Sequence, residues 1–270
     1  MRDDRPIGIF DSGIGGLTVA NAILQRLPKE RIVYFGDTAH LPYGDKSAKA
    51  IRHYAQGITE FLLGHDCKAI VIACNSATSA AHAHLLRRYG DRLPILNVID
   101  PIVDEVSARP DLHTIGVIGT KATIRAGMFP RKFRQARPDL TVRSQATPLL
   151  APMIEEGFFN NKISRAVLDS YLSKPLFKGI QGLIMACTHY PLIRPDIEAL
   201  YAGKNVELFD TPGVVANAVA RSLEQHGLLR PRRSSLPHAF YVSDYTDSFE
   251  RTTRIFWGEK VNLEEVQLWE

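Results

Sequence analysis

Nowhere in the 270 residues do about 18 apolar residues run together, so no segment offers itself as a membrane-spanning helix. Cysteine is scarce. The three present, Cys67, Cys74 and Cys187, are an odd number without a Cys-x-x-Cys pair, which argues against a disulfide framework and a structural zinc site. The histidines form no cluster at metal-ligand spacing, so no metal is expected. Arg2-Asp3-Asp4-Arg5 leads straight into a strand-like segment, and a signal-peptide pattern is lacking. The expectation is a cytoplasmic protein with reduced thiols and no membrane partner. A formal charge of +4 is spread along the chain, with local clusters only at 131–137 and 230–233. Neither is interleaved with a recognition motif, so both read as solvated faces and no nucleic-acid partner is expected.

Apolar residues make up 45% of the chain, in short runs, enough for a sizeable core. Pro6-Ile7-Gly8-Ile9-Phe10 reads as a strand that leaves through Asp11-Ser12-Gly13-Ile14-Gly15-Gly16 into a helix marked by Leu17, Ala20, Leu24 and Leu27. Strands at 31–35, 69–73 and 94–99 follow, with helices over 48–63 and 77–89. The cycle then restarts: strands at 114–118, 141–146, 183–186 and 206–209, a loop at 147–156 and a helix over 163–172. After Pro212 come a helix over 214–225, a surface loop at 230–237 and a strand at 239–242. Asp247 and Glu250 read as a capping pair opening a helix to Trp257.

Strands buried on both faces and alternating with helices predict parallel sheets with right-handed crossovers. Both halves keep one order: a hydroxyl-bearing turn, a cysteine at a strand end, then a strand stopping at aspartate. Cys74 matches Cys187, and Asp100 matches Asp210, at offsets of about 110 residues. The expected fold class is therefore α/β, with two pseudosymmetric three-layer domains of mainly parallel sheets. Residues 1–99 plus 210–270 form the first and 100–209 the second. Ligands of parallel sheets lie at the carboxyl ends of strands, so the seam between two such halves is the expected site.

Two runs carry the chemistry. Ala69-Ile70-Val71-Ile72-Ala73-Cys74-Asn75-Ser76 delivers a thiol to the start of a helix, with Asn75 and Ser76 as its caps. Leu183-Ile184-Met185-Ala186-Cys187-Thr188-His189 repeats the arrangement. A helix N-terminus and a polar pocket can lower a thiol's proton affinity. One cysteine would suggest covalent catalysis. Two opposed ones suggest that a thiolate takes a proton from one face of a carbon while a thiol returns one to the other. Cys67, in His65-Asp66-Cys67-Lys68, reads as structural.

A carbon acid needs its carboxylate held, and the amides of Ser12 to Gly16 could do so; an ordinary tight turn is the other reading. The glycine spacing misses the dinucleotide fingerprint. Asp11 could bond a thiol or a substrate ammonium, or simply stabilise its turn. His189 could tune Cys187 or satisfy a turn. Asp37, Glu155 and Glu156 are further ionisable candidates, the glutamate pair reading by default as solvated loop.

These motifs, with Gly36-Asp37-Thr38-Ala39, Pro42-Tyr43-Gly44, Ile118-Gly119-Thr120, Ala122-Thr123, Tyr190-Pro191-Leu192 and Phe240-Tyr241-Val242-Ser243-Asp244, make the chain similar over nearly its whole length to the cofactor-independent glutamate racemases of the aspartate/glutamate racemase family. The resemblance implies interconversion of L- and D-glutamate by two cysteines, supplying D-glutamate for peptidoglycan, without cofactor and as a homodimer. It implies that Cys74 works on the D-enantiomer and Cys187 on the L-enantiomer, assisted by Asp11 and His189. Substrate-binding positions fall on Asp11, Ser12, Tyr43, Gly44, Asn75, Ser76, Thr188 and His189. Asp37, Thr120, Thr123 and one of Glu155 and Glu156 would be auxiliary. Ser76 stands where threonine is commoner, His40-Leu41 where arginine and valine are, and Ala126 where serine is frequent. An aspartate or other racemase of the superfamily and a non-catalytic amino-acid-binding protein are the competing readings.

Overall fold

The computed structural model describes residues 4–258 and 261–269, those at 247, 248 and 250–252 by their backbone alone. The chain opens with β1 (Ile7–Asp11), α1 (Leu17–Arg26), β2 (Ile32–Gly36), α2 (Ala48–Gly64), β3 (Ala69–Ile72), α3 (Asn75–Tyr89) and β4 (Ile95–Asn97). α4 (Asp100–Ser107) leads to β5 (Thr114–Gly119), α5 (Lys121–Ala126), α6 (Met128–Ala136), β6 (Thr141–Ala146), α7 (Leu150–Glu155) and α8 (Lys162–Leu172). β7 (Gly182–Ala186), α9 (Arg194–Leu200), β8 (Glu207–Phe209), α10 (Thr211–Gln225), β9 (Ala239–Val242), α11 (Asp247–Trp257) and β10 (Leu263–Glu265) complete it.

Two sheets result, with strand orders β10-β9-β2-β1-β3-β4 and β6-β5-β7-β8, and every pairing in them is parallel. Within each, the first four strands of the half take the same order, second-first-third-fourth. β3 and β7 are thus equivalent, each third in sequence and next to its half's first strand. β9 joins β2, and β10 joins β9, so the C-terminal tail completes the first sheet.

Burial explains the layers. α2 presents Ile51, Ala55, Ile58 and Leu62 at helical spacing to one face of the first sheet, where Phe10, Val33, Phe35, Ile70 and Ile72 meet them. Each such fully buried aliphatic side chain contributes about 1.5–3 kcal/mol. The other face is covered by α1 and by α10, whose Val215, Val219 and Leu223 pack inward. That apolar layer runs on without a break into the second sheet through Ile115, Val117, Ile184 and Met185.

Several expectations change. Residues 150–155, anticipated as loop, form the helix α7, because Leu150 and Ile154 are buried together on one face. Cys74 itself is the N-cap of α3: Ala77 N donates to its Sγ at 3.4 Å, so Asn75 and Ser76 are the first helical residues rather than caps. β4 covers three residues instead of six, ending where the Asn97 side chain accepts from the amides of Ile99 and Asp100. Arg230, placed in a surface loop, is buried and its amide donates to Glu30 Oε1. The side chains of Asp247 and Glu250 lie outside the described residues, and Thr246 caps α11 by accepting from Phe249 N. Cys67 packs under β1, its Sγ 3.0 Å from where a Cβ at Gly8 would sit. Among the described residues no helix is long and apolar enough to cross a membrane.

Candidate active site

The carboxyl ends of β1, β3 and β7 converge on a small, partly enclosed cavity. Cys74 and Cys187 both line it. Each follows the last residues of a buried strand, which fixes its backbone, and each is nearly closed to solvent. The two halves meet closely here. A Cβ on Gly15 would fall 2.5 Å from His189 Cε1, and one on Gly44 would fall 2.9 Å from Thr120 Cβ, so glycine is required for the two sheets to approach.

The two thiols sit in different surroundings. Cys74 Sγ lies 3.6 Å from the Ser12 hydroxyl and accepts the Ala77 amide. Burial pushes its thiol up to about 12, and the Asp11 carboxylate adds to that rise; the Ala77 amide and Ser12 hydroxyl offset part of it. The helix N-terminus was expected to lower this thiol, and desolvation outweighs it. Cys187 Sγ lies 3.5 Å from His189 Nδ1, whose other nitrogen meets Glu155 Oε1 at 2.8 Å. Burial alone would push the imidazole down, but its interactions with the Cys187 sulfur and the Glu155 carboxylate prevail and hold it well above the usual histidine range. No α-helix starts at Cys187; a short helical turn, Tyr190–Ile193, leads into α9 instead.

Polar groups complete the lining. Ser12, Tyr43, Gly44, Asn75, Ser76, Thr188 and His189 reach the cavity, as do Thr120 and Glu155. Asn75 is buried, and neither atom of its amide finds a partner within the protein among the described residues, since capping falls to Cys74. Ser76 Oγ lies 2.8 Å from Thr120 Oγ1 and 3.3 Å from Thr123 Oγ1, which ties α3 of the first sheet to α5 of the second. Pro42, Ala151 and Ala186 also line the cavity and were not anticipated. Ala151 was hidden by reading its helix as loop, whereas Pro42 and Ala186 stand in the motifs Pro42-Tyr43-Gly44 and Ala186-Cys187 without an expected role of their own.

Three expected residues stand behind the lining. Thr123 is one step back, on the hydroxyl cluster. Asp11 is wholly buried, and its Oδ2 accepts the amides of Gly16 at 2.9 Å and Gly13 at 3.3 Å. Those amides were candidates to hold a substrate carboxylate; a carboxylate at the end of a buried strand needs them itself. Burial still raises Asp11 above the ordinary carboxyl value, against the pull of His189 and these amides. Asp37 accepts from the hydroxyls of Tyr43 at 2.5 Å and Ser243 at 2.7 Å, and lies 2.8 Å from His40 Nδ1. It thus fixes the loop carrying Tyr43 and Gly44. His40 also stacks on Tyr54 at 3.9 Å, which accounts for that unusual residue. Between the two glutamates the geometry selects Glu155; Glu156 is exposed. Among the described residues no group of three or more His, Cys, Asp or Glu is placed to hold a metal ion.

The His189–Glu155 pair predicts a pH-dependent contribution to stability. A raised histidine stabilises fully below its unfolded value near 6.5 and loses that contribution as pH rises through the elevated folded value. Glu155→Gln weakens the pair by about 2 kcal/mol, the scale of a charge-assisted hydrogen bond. Thermal melts from pH 6 to 10 are expected to show wild type above the variant most at the acid end, the gap narrowing with pH. A constant gap would contradict the assignment.

Comparison with known proteins agrees with this geometry. The Asp/Glu/Hydantoin racemase family model matches residues 12–219. A glutamate racemase of Neisseria gonorrhoeae is 40% identical over 264 residues, covering 98% of this chain and 96% of its own. The crystal structure of glutamate racemase from Francisella tularensis in complex with D-glutamate superposes with a TM-score of 0.91 at 37% identity, covering 98% of each chain. That from Thermus thermophilus, in complex with beta-chloro-D-alanine, superposes at 0.87 with 36% identity over 99% of each. With two strand-end thiols on one small cavity and relatives of this kind along its whole length, the chain belongs to the Asp/Glu/Hydantoin racemase family of isomerases.

Proposed function

We propose that this chain interconverts L- and D-glutamate, with Cys74 and Cys187 as the two acid–base groups. The observation that carries the reading is that thiols from equivalent strands of two sheets line one small polar cavity. In the L-to-D direction Cys187, as thiolate beside cationic His189, takes the α-proton. The C–H electron pair stays on the α-carbon, delocalised into the carboxylate, and Cys74 gives its proton to the opposite face. Cys187 ends as thiol and Cys74 as thiolate, and exchange with solvent resets them. The D-to-L direction reverses each transfer.

The developing carbanion needs donors that are already in place. The unspent Asn75 amide and the hydroxyls of Ser12, Ser76 and Thr188 supply them, with Asp11 and Glu155 acting from behind on Cys74 and His189. Residues 1–99 with 210–270 and residues 100–209 act as the two lobes in this reading. The product's use in peptidoglycan, a cytoplasmic location and a homodimeric assembly belong to the same proposal.

The test is incubation of L- and D-glutamate in deuterated water after dialysis against chelator, without pyridoxal phosphate. Deuterium is expected at the α-carbon with inversion from either enantiomer, and aspartate is expected to turn over far more slowly. Binding of glutamate without deuterium incorporation would refute the reading.

A further inference from the structure

The loop bearing Cys187 grows from the second sheet, yet elements of the first grip it. The Thr18 hydroxyl of α1 is 3.1 Å from the Thr188 carbonyl oxygen, and Gly15 packs against the His189 ring. A third contact comes from the C-terminal region. Phe256 of α11 is 4% exposed and sets its ring edge-to-face on the His189 imidazole, centroids 5.2 Å apart and planes at 83°. α11 in turn packs on α1. The sequence pattern foresaw this helix and gave it no part in the chemistry.

Hydrogen bonds hold His189 at two points, Nδ1 to Cys187 and Nε2 to Glu155. Two such points, the one to sulfur at 3.5 Å, leave the ring room to tilt and slide off the Cys187 sulfur. A perpendicular aromatic ring at van der Waals range removes that motion and closes the flank to water. We propose that Phe256 is a positioning residue: it fixes the plane of His189 so that Nδ1 stays aimed at the Cys187 sulfur, which makes the C-terminal helix part of the catalytic apparatus. The proposal rests on the reading of Cys187 as a base in glutamate racemisation.

The size of the effect follows from the sensitivity of proton transfer to small misplacements, about 10²-fold for 1 Å. Phe256→Leu, which keeps an apolar filler but loses the ring, is expected to lower kcat roughly 10- to 100-fold with KM within about twofold. The isotope effect with α-deuterated L-glutamate should rise, and the pH profile of kcat/KM should shift. Phe256→Met, close to volume-conserving, serves as a second variant if the first does not fold. A variant that melts lower but keeps wild-type kcat, isotope effect and pH profile would show that Phe256 only packs, and overturn the proposal. Wild-type enzyme without racemase activity would overturn the functional reading as well, and that result is seen before any variant is made.

Discussion

Serine in place of either cysteine is expected to stop racemisation. For Cys74→Ser and Cys187→Ser alike, kcat should fall about 10²–10⁴-fold, the range a positioned acid or base contributes. Serine keeps the shape of the side chain but its hydroxyl is far less acidic than a thiol, so it supplies neither an accessible anionic base nor a ready proton donor. The two variants should not be equivalent in detail. Cys187→Ser removes the group paired with His189, so proton abstraction from L-glutamate fails first. Cys74→Ser leaves that pair intact, so washout of the α-proton from L-glutamate can persist while inversion is lost. The double variant should be little worse than either single one, since the groups act in series. Turnover above a tenth of wild type in one variant, with its fold intact, would mean that only one thiol takes part.

Removal of the Lys68 ammonium is expected to have the largest effect on stability. Lys68 is fully buried at the amino end of β3, its Nζ 2.7 Å from Glu30 Oε2 and donating to the Leu228 carbonyl at 2.7 Å. Glu30 is buried too, and its other oxygen accepts the Arg230 amide at 2.8 Å. Lys68→Met strands the carboxylate without its cation and should cost about 3–5 kcal/mol. For a chain of this length that is a drop of roughly 10 °C in melting temperature. Glu30→Gln combined with Lys68→Met removes both charges and keeps an acceptor for the Arg230 amide, so it should lose less than Lys68→Met alone. Melting of the three proteins side by side decides it. A double variant at or below the Lys68→Met single would show that the charges do not act as a pair.

The thiols were legible because a strand buried on both faces has an unmistakable composition, and a polar residue ending such a run must lie at its edge. The repeat of that pattern led to the equivalence of β3 and β7 before any pairing was known. Glu155 and Glu156 could not be told apart from sequence, because the choice depends on the helical turn of α7, whose residues read as loop. The use of the Gly13 and Gly16 amides was likewise hidden: a glycine-rich turn looks the same whether its donors face a ligand or its own aspartate. Thr18 meets Thr188 across 170 residues of chain, and nothing near either residue announces it.

The amino-acid order by itself determined the α/β class, the parallel strands, the internal repeat and the two cysteines at strand ends, since those follow from periodicity and burial among near neighbours. Only the tertiary structure decided which carboxylate serves His189, that Asn75 stays unspent, and that Phe256 packs against the His189 ring. Those contacts join segments distant in sequence, and they are set by how two sheets pack on a shared core rather than by any local preference.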